Sequence, residues 1–176
     1  MKFFKEELTN VKAFIFDVDG VLSSDTSPLD PNGEPMRTTN VKDGFAIRNA
    51  ATHGYPIAII SGGKNENIRK RYQKLGVEFI YLDVKDKNHC FIDFISKTNL
   101  DPSEILYMGD DMPDYNVMTQ IGIPTCPADA VTEIKSISKY ISDRKGGQGC
   151  VRDVIEQVMR SQGKWINSEA LNTASF

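Results

Sequence analysis

Two aspartates one residue apart, Asp17 and Asp19, close an apolar run and are followed at once by Gly20. Further on come Ser61-Gly62-Gly63, then Lys87, then Gly109-Asp110-Asp111 with Asp114 beyond. Carboxylates brought together repel one another unless something positive lies between them. Their oxygens suit a hard divalent cation, which points to Mg²⁺. An acidic rim with one hydroxyl and one lysine has the parts for phosphoryl transfer. Asp17 would attack phosphorus to give an aspartyl-phosphate. Asp19 would protonate the departing oxygen, then take a proton from the water that resolves the intermediate. Asp17, Asp110 and the carbonyl of Asp19 would hold the cation, with Asp111 and Asp114 supporting them from behind or capping the next helix. Ser61, Gly62 and the N–H groups that follow would hold phosphoryl oxygens at a helix start. Lys87, favoured over Lys85, would offset charge on the nucleophile and the transferring group. The plainer alternative is a strand that ends in an ordinary turn, since Asp and Gly are common there.

These residues need a scaffold that brings strand ends to one edge. The apolar run over 11–16 predicts a strand buried on both faces, as in parallel α/β sheets. Residues 22–40 are polar and turn-rich, and Asp30-Pro31-Asn32-Gly33 predicts a small β-hairpin flap directly after the acidic pair. Asp43 is expected to N-cap a helix running to Thr52. The alternation then repeats: strand 55–60, helix 65–75 stopped at Gly76, strand 77–82, helix 86–98. A turn at 101–104 leads to strand 105–108, helix 114–121, strand 122–126, helix 131–137 and strand 140–141. The loop 144–149 precedes a terminal helix over 151–159. Strands alternating with helices imply a Rossmann-like open parallel sheet with helices on both faces. In such sheets ligands sit just beyond the carboxyl ends of the strands. All four acidic or polar strand ends would meet there. One domain is expected over 1–160, with a polar tail over 161–176 that is either disordered or docked on a neighbouring subunit.

Bulk composition narrows the class. The 176 residues, 40% hydrophobic and 26% charged, suit an ordinary soluble domain. A net charge of −3 and no basic cluster beyond Arg69-Lys70-Arg71 give no hint of a nucleic-acid partner. Three widely spaced cysteines read as reduced, mostly buried thiols. No run is apolar enough to cross a membrane, and Lys2 and Lys5 are not followed by an apolar core of a leader. The reading is a soluble, cytoplasmic protein with no membrane partner.

Asp17-Val18-Asp19-Gly20-Val21, Ser61-Gly62, Lys87 and Gly109-Asp110-Asp111 with Asp114 resemble, in order and context, the four motifs of the haloacid dehalogenase-like phosphatases. The interval from Ser61 to Lys87 leaves no room for a cap domain, so the chain resembles the capless branch. Asn32-Gly33-Glu34, Val41-Lys42-Asp43-Gly44 and Arg144-Lys145-Gly146-Gly147-Gln148-Gly149 with Val151-Arg152 are similar to the 3-deoxy-D-manno-octulosonate 8-phosphate (KDO 8-phosphate) phosphatases. The resemblance implies hydrolysis of that sugar-acid phosphate for lipopolysaccharide precursor synthesis, with Mg²⁺, in a homotetramer whose neighbouring flap and tail cover the site. Where that family has Arg-Gly-Gly, this chain has Lys145 preceded by Arg144. Lys64, Arg71, Arg144 and Asp43 are the expected substrate contacts. Gly63 leaves room that favours the eight-carbon acid over nine-carbon sugar acid 9-phosphates. A receiver-type domain is disfavoured, because no acceptor aspartate follows an earlier acidic pair. A non-catalytic oligomerisation module would have no use for Asp17 and Asp19 together.

Overall fold

The computed structural model describes residues 4–166. Six strands make one parallel sheet: β1 (Ala13–Phe16), β2 (Ile57–Ile60), β3 (Phe79–Tyr81), β4 (Ile105–Met108), β5 (Ile123–Cys126) and β6 (Tyr140–Ile141). Their spatial order is β3-β2-β1-β4-β5-β6, so the chain leaves β1 in one direction and returns to start again on its other side. The reversal opens a crevice between β1 and β4, the position where open α/β sheets bind ligands.

The side-chain period of two explains why β1 is apolar throughout. Phe14 and Phe16 enter one core and Ala13 and Ile15 the other, all fully buried. The first core is completed by α2 (Val41–Thr52), α3 (Glu66–Gln73) and α7 (Cys150–Ser161). The second is completed by α4 (Lys87–Thr98), α5 (Met112–Met118) and α6 (Thr132–Ile137). Helices therefore cover both faces, as the alternating pattern requires. Short polar side chains set the helix starts: Asn40, Asn65, Asp86 and Asp111 each accept a backbone N–H from the first turn of α2, α3, α4 and α5. In α7, Val151, Val154, Ile155, Val158 and Met159 fall on one buried stripe.

Several boundaries differ from the sequence reading for local reasons. The start of α2 is capped by Asn40, whose side chain reaches the N–H groups of Lys42 and Asp43, so Asp43 is helical and not the cap. The flap has no ladder, only one antiparallel bridge from Leu29 to Pro35. Its tip is held instead by Asp30, whose carboxylate accepts from the N–H groups of Asn32 and Glu34. An unforeseen short helix, α1 (Phe4–Glu7), precedes β1. The helix placed at 114–121 begins earlier, at Met112, because Asp111 caps it and a proline suits its first turn. Of the tail, Trp165 is buried, its carbonyl taken by Asn49 at 2.8 Å and its ring faced by Arg152 and Arg160. Leu171 and Phe176 lie outside the described residues. Among those described, no helix is long and apolar enough to cross a membrane.

Candidate active site

Register places the acidic strand ends side by side. Phe16 pairs with Met108, and the ladder runs one step further, with the Asp17 N–H donating to the Met108 carbonyl at 3.1 Å. Asp17 and Asp110 therefore leave adjacent strands at the crevice. Asp17 Oδ1 accepts from the Val18 N–H at 2.6 Å and from Lys87 Nζ at 2.9 Å. Lys87, at the first position of α4, also donates to Asp114 Oδ1 at 2.7 Å. One ammonium thus stands between two buried carboxylates. Lys85 only borders the cavity, whereas Lys87 reaches both Asp17 and Asp114.

Asp114 is fully buried, and protein donors occupy both its oxygens. Oδ1 takes Lys87 and the hydroxyl of Tyr107, while Oδ2 takes the Asp110 N–H at 3.1 Å. Its work is to fix Lys87 and the Asp110 backbone. Asp111 caps α5 through the Met112 N–H at 2.7 Å. Glycine at position 20 is needed twice over. It has a φ of +81°, and a Cβ there would collide with the Asp110 carboxylate.

The electrostatics suit a cation. Single oxygens of Asp17, Asp110 and Asp114 can be chosen that all lie within 4.8 Å of one another. Burial raises Asp17 to about 7, with repulsion from Asp114 adding to it and Lys87 opposing it. Burial and the charges of Asp17 and Asp114 raise Asp110 to about 8. Burial disfavours the charge on Lys87, but Asp17 and Asp114 outweigh it and raise its pKa. A hard divalent ion beside Asp17 and Asp110 would offset the burial and repulsion that raise them, and the all-oxygen donor set fits Mg²⁺.

On the other side of β1 from β4, Ser61 follows β2 and is completely buried, its Oγ accepting the Gly63 N–H at 3.0 Å. Gly62, Gly63 and Lys64 line a cavity of about 790 Å³ together with Asp17, Asp19, Lys87, Asp110 and Asp111. Lys64 is largely exposed and 3.5 Å from Asp83. The structure thus gathers Asp17, Asp19, Gly62, Lys64, Lys87, Asp110 and Asp111 around one opening, with Asp114 buried behind Lys87 and Ser61 buried behind Gly63.

Three expected substrate contacts lie elsewhere. Asp43 is buried beneath α7, where its Oδ1 accepts the Arg152 N–H at 2.7 Å, so it ties α2 to the start of α7. Arg71 lines a separate cavity of about 330 Å³ between the flap and α3. Arg144 is exposed and faces Asp143 at 3.3 Å. The glycine-rich loop after Arg144 is built for close packing. A Cβ on Gly146 would strike the Gly20 carbonyl, and the Gly147 N–H donates to Val21 at 2.8 Å. That loop therefore braces the turn carrying Asp17 and Asp19.

Two functional neighbours were missed by sequence reasoning. Tyr107 alternates into the second core and gave no signal beyond being an aromatic in a strand. Arg37, on the return limb of the flap, holds both oxygens of Asp19, Nε to Oδ1 at 2.7 Å and one terminal nitrogen to Oδ2 at 2.9 Å. Its guanidinium also occupies the space over Gly63, so the room expected there is already filled. A lone cation between a turn and a helix start was the available clue.

No protein-family model matches the chain. Among curated proteins it is 36% identical over 155 residues to 3-deoxy-D-manno-octulosonate 8-phosphate phosphatase of Salmonella typhi, covering 88% of this chain and 82% of that one. The corresponding enzyme of Yersinia pestis is 31% identical over 167 residues, covering 95% and 89%. This chain belongs to the KDO 8-phosphate phosphatase family. The crystal structure of the Yersinia pestis family member superposes with a TM-score of 0.88 at 31% identity, over 92% of this chain and 88% of that one. A Moraxella catarrhalis member of the KDO 8-phosphate phosphatases, solved with magnesium, phosphate and KDO, gives a TM-score of 0.86 at 26% identity, over 92% and 93%. Both share the capless haloacid dehalogenase-like fold described above.

Proposed function

We infer that this chain is a Mg²⁺-dependent phosphatase that hydrolyses KDO 8-phosphate to KDO and inorganic phosphate. The observation that carries the chemistry is the Asp17 carboxylate held by Lys87 beside Asp110, at the crevice between β1 and β4. Family membership carries the substrate. Asp17 and Asp110, with the carbonyl of Asp19, would hold Mg²⁺, which when bound neutralises charge between nucleophile and phosphate. Lys87 and the Val18 N–H fix the rotamer of Asp17. An Asp17 oxygen forms the bond to phosphorus as the bond from phosphorus to the sugar oxygen breaks, and Asp19 supplies the proton that oxygen takes. Water then attacks phosphorus, Asp19 accepts its proton, and the Asp17 carboxylate is regenerated. Ser61, Gly62 and Lys87 hold phosphoryl oxygens meanwhile.

The assembly is read as a homotetramer in the cytoplasm. Leu29, Met36 and Val41 are exposed on or beside the flap, an apolar set suited to packing against another copy. All three cysteines are unpaired, as a reducing compartment requires. The test is phosphate release from a panel of KDO 8-phosphate, a nine-carbon sugar acid 9-phosphate and neutral sugar phosphates, with Mg²⁺ and with EDTA. KDO 8-phosphate should be hydrolysed fastest, and only with the cation. A preferred nine-carbon or neutral substrate would overturn the assignment.

A further inference from the structure

Arg37 stands where an acid–base residue would be expected to have open space. Its guanidinium makes a two-point ion pair with Asp19, and the arginine side chain is only 8% exposed against 46% for the aspartate. A planar fork matched to both carboxylate oxygens is the strongest form of such a pair. Both oxygens of Asp19 are thereby held by a residue of the flap. Any proton that Asp19 gives or takes must therefore compete with this pair. The contact belongs to the free enzyme and must be exchanged during turnover.

The surroundings say what takes the place of Asp19. Arg37 contacts none of Asp17, Lys87, Asp110 and Asp114, the groups that surround the phosphoryl position. It lies beyond Asp19, over Gly63, and forms the wall shared by the catalytic cavity and the cavity between flap and α3. On the phosphatase reading the sugar part of the substrate lies on this side, outside the buried Asp17 and Lys87. The limb carrying Arg37 is also anchored: the Thr38 N–H donates to Ser23 Oγ at 3.0 Å, and Ser23 is fully buried in the loop after β1. The guanidinium is therefore delivered to a fixed place and changes partner by its own side-chain torsions.

We propose that Arg37 is a substrate-binding residue that exchanges partners, holding Asp19 in the free enzyme and the oxygens of the sugar acid once substrate is bound. A guanidinium keeps its charge at any working pH and prefers anionic or multiply oxygenated partners, so a polyhydroxy acid competes for it where a neutral aryl group does not. Release of Asp19 then coincides with occupancy of the site. Discrimination for acidic sugars is thereby tied to readiness of the acid–base group. This inference rests on the sugar-acid phosphatase reading and adds the residue that reads the leaving group.

The test compares the parent with Arg37→Ala and Arg37→Lys by steady-state kinetics on KDO 8-phosphate and a neutral sugar phosphate. Inhibition by KDO and by inorganic phosphate is measured alongside. Arg37→Ala should raise KM for KDO 8-phosphate about ten- to a hundredfold, as truncating one partner of a charge-assisted pair does. It should weaken inhibition by KDO at least ten times more than inhibition by phosphate, and Arg37→Lys should recover part of the loss. Equal weakening of both inhibitors, or none, would overturn the proposal, as would an equal loss on both substrates. The parent enzyme's own preference within the pair tests the substrate reading separately, because the inhibition ratio is obtained whichever ester is hydrolysed faster.

Discussion

Burial works against the charge on Asp17 and Asp110, and each suffers from its acidic neighbours as well, which is why they rise to about 7 and about 8. A carboxyl with a raised folded-state pKa favours the fold in its protonated form. That contribution is complete below the unfolded value near 4 and is lost as pH climbs through 7 to 8. Metal-free protein should therefore lose thermal stability between about pH 5 and about pH 8.5, and added Mg²⁺ should restore more of it at the upper end. Thermal melts with EDTA or Mg²⁺ across that range check this; a metal-free stability that rises with pH would contradict it. Lys87 offsets the same repulsion from within. Its replacement by Met leaves Asp17 and Asp114 buried without their ammonium, so Lys87→Met should cost about 3–5 kcal/mol in denaturant unfolding and abolish phosphate release. Asp17→Asn should instead fold and melt at or above the parent temperature in EDTA, while activity falls at least about a thousandfold, near 4 kcal/mol of transition-state stabilisation.

At the level of elements, the turn after β1 and the loop before α7 act as one device. Gly146 and Gly147 let the loop backbone press against that of the turn at Gly20, Ser23 and Ser24, and Gly20 itself leaves room for the Asp110 carboxylate. Gly20→Ala should strain a left-handed position and push Asp110 aside, at a cost of about 1–2 kcal/mol plus a large loss of Mg²⁺ affinity by calorimetry. Asp43 links α2 to α7 from within the core, with one oxygen on the Arg152 N–H and burial raising it to about 6. Its ionised form opposes folding as pH rises from 4 through 6, so Asp43→Asn should gain stability relative to the parent over that interval. Unfolding curves at both ends of the interval measure the difference. These two cases mark what could be read from the residues alone. Asp17, Asp19, Lys87 and Asp110 were legible because local sequence puts them at strand ends or a helix start, and topology then brings those ends together. Asp43, Arg71 and Arg144 were not, because a side chain's direction depends on which helix lies over it. Asp43 meets α7, more than a hundred residues later in the chain. Arg37 was hidden for the same reason, its partner being set by how the flap folds back.

For the whole molecule, the alternation of strands and helices foretold the parallel sheet and its two helical layers, and the strand order explains why the chemistry collects between β1 and β4. What an isolated sequence could not display is the surface left by the flap, where Leu29 and Met36 stay exposed. If that surface joins copies of the chain, light scattering should report a tetramer, and Leu29→Glu with Met36→Glu should yield smaller species of reduced activity. A fully active monomer would remove the flap from that role. The central claim, that a carboxylate at the sheet's switch point receives the phosphoryl group, has a direct chemical readout. Acid quenching during turnover, followed by borohydride reduction and peptide mass spectrometry, converts an aspartyl-phosphate to homoserine at the residue that carried it. Conversion at position 17, dependent on both Mg²⁺ and substrate, is the predicted result; turnover with conversion at another aspartate, or at none, would contradict the account.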